Sequence, residues 1–294
     1  MLETGGSTMA SFTPHILVID GYPKPDRENL AACGMTAAGD LYISMLGRLC
    51  PSARFDVLHA SDADSALAPG VEIGNYHGVA WTGCSLTIHD DSDARVKRHI
   101  ELARAAYRAG VPQYGTCWGI QIAAVAAGGI VAANPRGREM GIARKITLNP
   151  AGRGHPLYEG KPTSFDGYVS HFDEVTHLPT GGEVLAGNAF TRVHALTVHS
   201  GKGTFWGLQY HPEYDLQQMA RLMYCRRQAL TNEGFFTSEE NALEVVAAYE
   251  RLYDDPDAKA LAWQLGVEDD LMSDAVRHAE PRNWLNRLVL PGVR

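Results

Sequence analysis

The chain has 294 residues, of which 45% are hydrophobic and 20% are charged, a composition typical of a globular protein with a full core. Its net charge of -8 argues against a nucleic-acid or anionic-membrane surface, which would need a basic patch. Five widely spaced cysteines without a CxxC pair argue against a zinc site or a disulfide framework and favour a reducing, cytoplasmic compartment.

The N-terminal segment, residues 1–14, has neither a basic start nor an apolar stretch. We therefore expect a flexible tail and not a signal peptide. No apolar run in the sequence approaches the roughly 20 residues that a membrane helix needs, so no membrane partner is expected.

The first half of the chain predicts alternating strands and helices. Each short apolar run is followed by a loop and then by a stretch of helical spacing. This alternation predicts an α/β fold with a mostly parallel sheet and helices on both faces. The predicted strands are 15–20, 54–60, 77–83 and 111–116, and the predicted helices are 36–49, 91–110 and 118–129.

Three loops follow the carboxyl ends of predicted strands, at residues 20–23, 83–85 and 115–119. In open parallel sheets, ligands bind at the carboxyl ends of the strands. We therefore expect these loops to converge on the functional site.

The second half of the chain has a different pattern. From about residue 130 to 212, short β-type runs alternate with turns, and residues 216–230 are helical. A break at 232–236 predicts one domain over residues 15–235 and a C-terminal helical extension over 236–294. Trp263 and Trp284 in this extension are expected to anchor its packing.

The segment GTCWGIQ, residues 115–121, lies at the predicted strand-turn-helix junction. A nucleophile at such a sharp turn has strained backbone and needs small neighbours, which Gly115 and Gly119 supply. The turn also places the Cys117 sulfur at a helix N-terminus, which favours the thiolate. The pattern predicts a nucleophilic cysteine.

A cysteine nucleophile needs a base, and His211 is the strongest of twelve histidines. It follows an apolar strand and begins the sequence HPE, so that Glu213 can hold the imidazole in one tautomer. The predicted triad is Cys117, His211 and Glu213. By contrast, His194 and His199 lie five apart on a predicted strand, on opposite faces, and are expected to be structural.

GTCWGIQ followed by YHPE resembles the class I (triad) glutamine amidotransferase family over about residues 15–235. The resemblance implies a flavodoxin-like fold and a domain that hydrolyses a γ-glutamyl amide through a cysteine thioester. It makes Cys117 the nucleophile, His211 the base and acid, and Glu213 the residue that orients it. It implies neither a metal nor a cofactor.

The same resemblance assigns the remaining site residues. Gln121 would hold the substrate, and the segment Ser170, His171 and Phe172 would contact its amino-acid end, largely through the backbone. The oxyanion hole would be formed by backbone N–H groups of Trp118 and of the loop at Gly83 and Cys84. Two features depart from the family pattern: TGCS lacks the usual second glycine and the proline, and Trp118 replaces the commoner leucine, phenylalanine or tyrosine.

The main functional prediction is a glutaminase that releases ammonia from glutamine. The chain has no phosphate-binding loop and too few residues after the domain for an ATP-dependent synthase. An ammonia acceptor would therefore be a separate synthase subunit. The alternative is a γ-glutamyl hydrolase acting on conjugates of amines, with no acceptor. An aromatic mouth formed by Trp81, Trp118, Phe172 and Trp206 would suit its larger leaving group.

Two further hypotheses stay open. A non-catalytic subunit that docks on a partner would not need all three triad residues. A cysteine hydrolase of another flavodoxin-like family would place its histidine directly after the cysteine, where this chain has Trp118. The sequence leaves the substrate, the acceptor, the role of the extension and a homo-oligomeric state undecided.

Overall fold

The computed structural model describes residues 12–90 and 92–291, so most of the predicted N-terminal tail lies outside the described residues. The described strands are β1 (His15–Asp20), β2 (Arg54–His59), β3 (Gly78–Trp81), β4 (Gln113–Thr116), β5 (Ile130–Ala133), β6 (Glu139–Leu148), β7 (Ser164–His171), β8 (Asp173–His177), β9 (Gly182–Gly187), β10 (Ala195–Ser200) and β11 (Gly203–Leu208). The described helices are α1 (Lys24–Ala32), α2 (Ala38–Leu49), α3 (Ala94–Ala109), α4 (Trp118–Ala126), α5 (Pro150–Gly154), α6 (Leu216–Asn232), α7 (Glu239–Asp254), α8 (Lys259–Leu265), α9 (Asp269–Met272), α10 (Asp274–Arg277) and α11 (Ala279–Trp284).

The central sheet has the strand order β2-β1-β3-β4-β11-β10-β9-β6-β7. Its first five strands pair in parallel, as the alternation of strands and helices predicts. The remaining four pair antiparallel and extend the sheet on one side. The predicted α/β class is confirmed.

Strand β1 shows why the parallel strands of the sheet have continuously apolar sequences. Leu17 and Ile19 pack with α3 and α4 on one face, whereas Ile16 and Val18 pack with α2 on the other. Successive side chains of a strand point to opposite faces, so a strand covered on both sides must be apolar throughout.

Helix α3 begins and ends where its sequence predicts. The Asp93 side chain accepts a hydrogen bond from the backbone N–H of Arg95, and Gly110 ends the helix in the left-handed conformation, with φ 76°. These ends fix α3 against the sheet and bring His99, which is fully buried, beneath the loops that carry the site.

The helices after residue 235 pack directly on the sheet domain. Trp284, at the end of α11, is fully buried and contacts Gly78, where a side chain would lie 2.9 Å from the indole. Lys161 forms a buried ion pair with Glu280 at 2.9 Å. Trp284 therefore anchors the extension as predicted. The same prediction is wrong for Trp263, which is 87% exposed.

Within the described residues, no helix is both long and apolar enough to cross a membrane.

Candidate active site

The three loops predicted to converge do so around Gly21, directly after β1. A Cβ atom at Gly21 would lie 3.0 Å from Cys84 Cβ, 3.3 Å from the Gly83 carbonyl oxygen and 3.3 Å from Trp118 Cδ1. The loops after β1, β3 and β4 are thus in van der Waals contact at the carboxyl ends of their strands. No larger residue than glycine fits at position 21 without displacing the other two loops.

Cys117 lies at the turn between β4 and α4, with φ 50° and ψ -94°. A non-glycine residue in this conformation is strained, and such strain is typical of functional positions. The flanking glycines are required by space: a Cβ atom at Gly115 would lie 2.7 Å from Trp81 Cβ, and one at Gly119 would lie 3.3 Å from the same atom. The local structure is the elbow that the sequence predicts.

The surroundings of Cys117 suit a nucleophile. Its backbone N–H donates to the Leu208 carbonyl at 2.7 Å, and the sulfur lies 3.8 Å from the Ser170 carbonyl oxygen. The backbone N–H groups of Trp118 and Cys84 donate to no acceptor within the described part of the chain. Their role in an oxyanion hole stays a prediction.

The two remaining members of the predicted triad lie together. His211 Nδ1 donates to Glu213 Oε1 at 2.7 Å, and both side chains are almost completely buried. Thr116, next to the cysteine, also donates to Glu213 Oε1 at 2.9 Å. Because this bond uses the Thr116 proton, the Tyr42 hydroxyl must donate to Thr116, at 2.7 Å. Glu213 is thus fixed by a chain of hydrogen bonds.

The charge of Glu213 determines the protonation of His211. Burial lowers the pKa of His211, but the Glu213 carboxylate and the Cys117 side chain raise it by more, to about 10. Tyr214 stacks on the imidazole with ring centroids 4.2 Å apart and an interplanar angle of 2°. The ring is therefore held in one orientation and carries a proton at neutral pH.

Trp118 is an anchor of the elbow. Its indole is 1% exposed, and its Nε1 donates to His99 Nδ1 at 3.0 Å. Burial lowers the pKa of His99 to about 4, so the ring is neutral and can accept this bond. The Ser61 hydroxyl lies 3.3 Å from His99 Nε2 and donates to the Gly21 carbonyl at 2.5 Å. The elbow and the loop after β1 are thereby joined.

A cavity of about 340 Å3 opens above Cys117. Side chains from the three loops, from the end of β7 and from α6 surround it, so both halves of the chain contribute. Its lining comprises Tyr22, Cys84, Ser85, Leu86, Thr87, Cys117, Trp118, Gln121, Arg138, Ser170, His171, Phe172, Asp173, His211, Tyr214, Leu222, Arg226 and Ala229. Every predicted triad and substrate-binding residue except Glu213 lines it.

The predicted substrate-binding residues occupy different positions on this wall. Gln121 is buried and donates from Nε2 to the Asp173 carbonyl at 3.3 Å. The Ser170 hydroxyl accepts from Arg226 Nη1 at 2.7 Å. Phe172 is 43% exposed and lies beneath the Arg138 guanidinium, 3.7 Å from its ring centroid. Their assignment to the substrate stays a prediction.

His171 points away from the sulfur into a buried polar cluster. Its Nδ1 lies 3.0 Å from the Asp173 carbonyl oxygen, and its Nε2 lies 3.1 Å from Glu139 Oε2. Thr191 donates to the same carboxylate at 2.8 Å, and His194 Nε2 approaches it to 3.3 Å. Burial raises the pKa of Glu139, but these partners outweigh it and hold that pKa well below its usual range. His194 is structural, as predicted.

Gly83 and Cys84 lie beside the triad. A Cβ atom at Gly83 would be 3.2 Å from His211 Cε1, so the loop packs on the imidazole. The Cys84 thiol donates to the Gly21 carbonyl at 3.0 Å, and burial raises its pKa. The thiol therefore stabilises the loop, and its raised pKa disfavours the thiolate that a nucleophile needs.

The predicted aromatic mouth is wrong for two of its four residues. Trp81 and Trp206 are buried in the sheet core, where Trp81 Nε1 donates to Gln113 and Trp206 packs on His155. The rings that line the cavity are Tyr22 and Tyr214 together with Trp118 and Phe172. Counting aromatic residues near a motif cannot show whether a ring points into the core or into the site.

Within the described part of the chain, no group of three or more His, Cys, Asp or Glu side chains is arranged to hold a metal ion.

Comparison with known proteins agrees with this geometry. The family model for glutamine amidotransferase class I matches residues 89–226. A Pseudomonas protein named gamma-glutamyl-L-1-hydroxyisopropylamide hydrolase is 30% identical over 285 residues, which cover 95% of this chain and 94% of that protein. The chain belongs to the class I glutamine amidotransferase family.

Other similar proteins match either over a small part of their own length or in fold alone. The GMP synthase of Symbiobacterium thermophilum is 37% identical over 109 residues, but the match covers 37% of this chain and 20% of the synthase. A glutamine amidotransferase structure from Thermotoga maritima has a TM-score of 0.66 at 18% identity, covering 95% of this chain and 99% of that one. At this identity the structural likeness shows the fold alone.

Proposed function

We propose that the chain is a cysteine-dependent hydrolase of γ-glutamyl amides formed with small organic amines. The observation that best supports this proposal is the similarity to a γ-glutamyl alkylamide hydrolase, which extends over nearly the whole of both chains. The match to GMP synthase covers only a fifth of the synthase. This favours the alternative of the sequence analysis over the glutaminase prediction.

The site geometry supports cysteine chemistry. The Cys117 thiolate would attack the γ-carbonyl carbon, and the backbone N–H groups of Trp118 and Cys84 would stabilise the oxyanion. Protonated His211 would transfer its proton to the leaving nitrogen, so the carbon–nitrogen bond breaks and an amine leaves. His211 would then take a proton from water, which attacks the thioester and releases glutamate and the Cys117 thiolate. Glu213 holds the imidazole throughout.

The cavity supports a substrate larger than glutamine. Its volume of about 340 Å3 lies in the range of small-molecule sites. Tyr22, Tyr214 and Leu222 contribute aromatic and apolar side chains to its wall, and Tyr214 stacks on the imidazole that would protonate the leaving nitrogen. An alkyl group on the leaving nitrogen would bury apolar surface there, which ammonia cannot do.

A glutaminase that supplies ammonia to a separate synthase is the second candidate. The local match to GMP synthases favours it, and the same triad would carry it.

The test is glutamate release from glutamine, γ-glutamyl ethylamide and γ-glutamyl-1-hydroxyisopropylamide by the purified protein. We expect kcat/KM for an alkylamide to exceed that for glutamine by about tenfold or more, since one alkyl group in an apolar pocket is worth that much. Cys117→Ser is the control and should lose activity by about 10⁴-fold. Preference for free glutamine would replace the proposal by the second candidate.

A further inference from the structure

Arg226 lies on α6 and lines the cavity. Its Nη1 donates to the Ser170 hydroxyl at 2.7 Å. The carbonyl oxygen of the same serine lies 3.8 Å from the Cys117 sulfur. Ser170 therefore contacts both the Arg226 guanidinium and the sulfur of the proposed nucleophile.

The charge of this guanidinium is not neutralised by the protein. Arg138 lines the same cavity but donates twice to Glu233, at 2.8 and 3.1 Å. Arg227, the next residue on α6, lies 3.5 Å from Glu239. Among residues 12–90 and 92–291, Arg226 forms no ion pair with a carboxylate, and its one side-chain partner is a neutral hydroxyl. Most of its five N–H donors are free.

Tyr22 and Tyr214, which line the cavity together with Arg226, supply no negative charge. Burial raises the pKa of Tyr22 and that of Tyr214, so both phenols stay neutral. A partly buried guanidinium beside neutral groups binds carboxylates well, because its planar fork matches their two oxygens. Every γ-glutamyl amide carries an α-carboxylate, joined to the reacting carbonyl by a short aliphatic chain.

We propose that Arg226 binds a carboxylate of the substrate and thereby selects γ-glutamyl amides over other amides. The inference rests on the proposed function, since it concerns the same site. The α-carboxylate of the γ-glutamyl group is the first source. A carboxylate on the leaving amine offers the same chemistry, and the substrates of the test separate the two. Ser170 holds the guanidinium toward the cavity and is a positioning residue.

Three variants test the assignment by kinetics. Arg226→Gln removes the charge, Arg226→Lys keeps it without the fork, and Arg227→Gln is a matched control on the same helix. With γ-glutamyl ethylamide, Arg226→Gln should lower kcat/KM by about 10- to 100-fold, mainly through KM, as expected for a lost charge-assisted pair. Arg226→Lys should recover part of the loss, and Arg227→Gln should behave as wild type.

The substrate series identifies the carboxylate. The α-carboxamide analogue of γ-glutamyl ethylamide should be cleaved poorly by wild type and equally poorly by Arg226→Gln. If Arg226→Gln instead loses activity only with γ-glutamylglycine, the carboxylate site stands and its source is the leaving amine. An equal loss on all three substrates would overturn the proposal, because the arginine would then act on the protein and not on a carboxylate.

Binding separates this inference from the proposed function. Calorimetric titration of γ-glutamyl ethylamide into Cys117→Ser, with and without Arg226→Gln, needs no turnover. We expect a 10- to 100-fold weaker Kd in the double variant, with an unchanged circular dichroism spectrum. Equal Kd values would refute the role of Arg226 even if wild type is an active hydrolase. A weaker Kd would support it even if wild type is inactive on every amide.

Discussion

Two buried histidine–glutamate pairs lie at the same site. In each pair one ring nitrogen contacts the carboxylate, and the pairs differ in the surroundings of the other ring nitrogen. In the pair of His211 and Glu213, one ring nitrogen bonds to the carboxylate, and the Cys117 side chain helps to raise the pKa of the ring. In the pair of His171 and Glu139, both ring nitrogens face oxygen acceptors, the Glu139 carboxylate and the Asp173 carbonyl.

The difference teaches that residue type and burial do not by themselves make a catalytic histidine. A general acid and base needs one ring nitrogen within reach of the reacting atoms. In the proposed mechanism the second ring nitrogen of His211 has this role, whereas both ring nitrogens of His171 face oxygen acceptors of the protein. Glu139 sits at the start of β6, directly opposite His171 at the end of β7. The second pair therefore fixes the strand end that carries Ser170 and Phe172.

The largest difference between the pairs should appear in turnover. Glu213→Gln should lower kcat about 10³-fold, because the imidazole loses the carboxylate that orients it and holds its proton. Steady-state kinetics with a γ-glutamyl alkylamide measures this, with Glu139→Gln as the matched control. Glu139→Gln should change mainly KM. Equal losses of kcat would show that both pairs act in the chemical step.

The free energy of unfolding should show the opposite order, with the larger loss in the pair of His171 and Glu139. Glu139→Gln removes the carboxylate that His171, His194 and Thr191 face, and leaving buried polar groups without this acceptor should cost about 2 kcal/mol in the free energy of unfolding. Urea denaturation of wild type, Glu139→Gln and Glu213→Gln gives the comparison. A smaller loss in Glu139→Gln than in Glu213→Gln would contradict a structural role for the cluster.

The pH dependence of stability should show the smallest effect. His211 has a pKa of about 10 in the folded protein and about 6.5 when unfolded. Its stabilising contribution is therefore complete below pH 6.5 and is lost as pH rises toward 10. Cys117→Ser removes the part of this pKa shift that the Cys117 side chain supplies, so the part that remains comes from Glu213. The loss of unfolding free energy in that variant should be on the order of 1 kcal/mol per pH unit above pH 6.5.

Denaturation of Cys117→Ser and of Cys117→Ser with Glu213→Gln at pH 6.5 and 8.5 measures this contribution. Without the Glu213 carboxylate the fall should be markedly shallower. Parallel profiles would mean that Glu213 does not raise the pKa of His211.

The sequence was sufficient for the features that lie within a few residues of one another. Cys117 is recognisable because its glycines and the strand-turn-helix pattern are adjacent, and Glu213 because it follows His211 by two residues. The parallel strands are recognisable because both of their faces are buried, which makes them apolar throughout.

The features that the sequence did not reveal depend on register and on helix rotation. Glu139 and His171 are 32 residues apart and meet only through the pairing of β6 with β7. Arg226 and Arg227 are identical neighbours in sequence, and only the rotation of α6 turns one toward the cavity and the other toward Glu239. No local pattern carries this information.

The buried position of Trp284 has a consequence for how the chain reaches this structure on the ribosome. Its indole fills the sheet core against Gly78 and lies 5.6 Å from the ring of Tyr114, on the strand that leads into the elbow. Domains tend to fold as their residues emerge during synthesis. Here the core beneath Cys117 stays open until α11 has been synthesised, so the elbow gains this support long after its own residues have emerged.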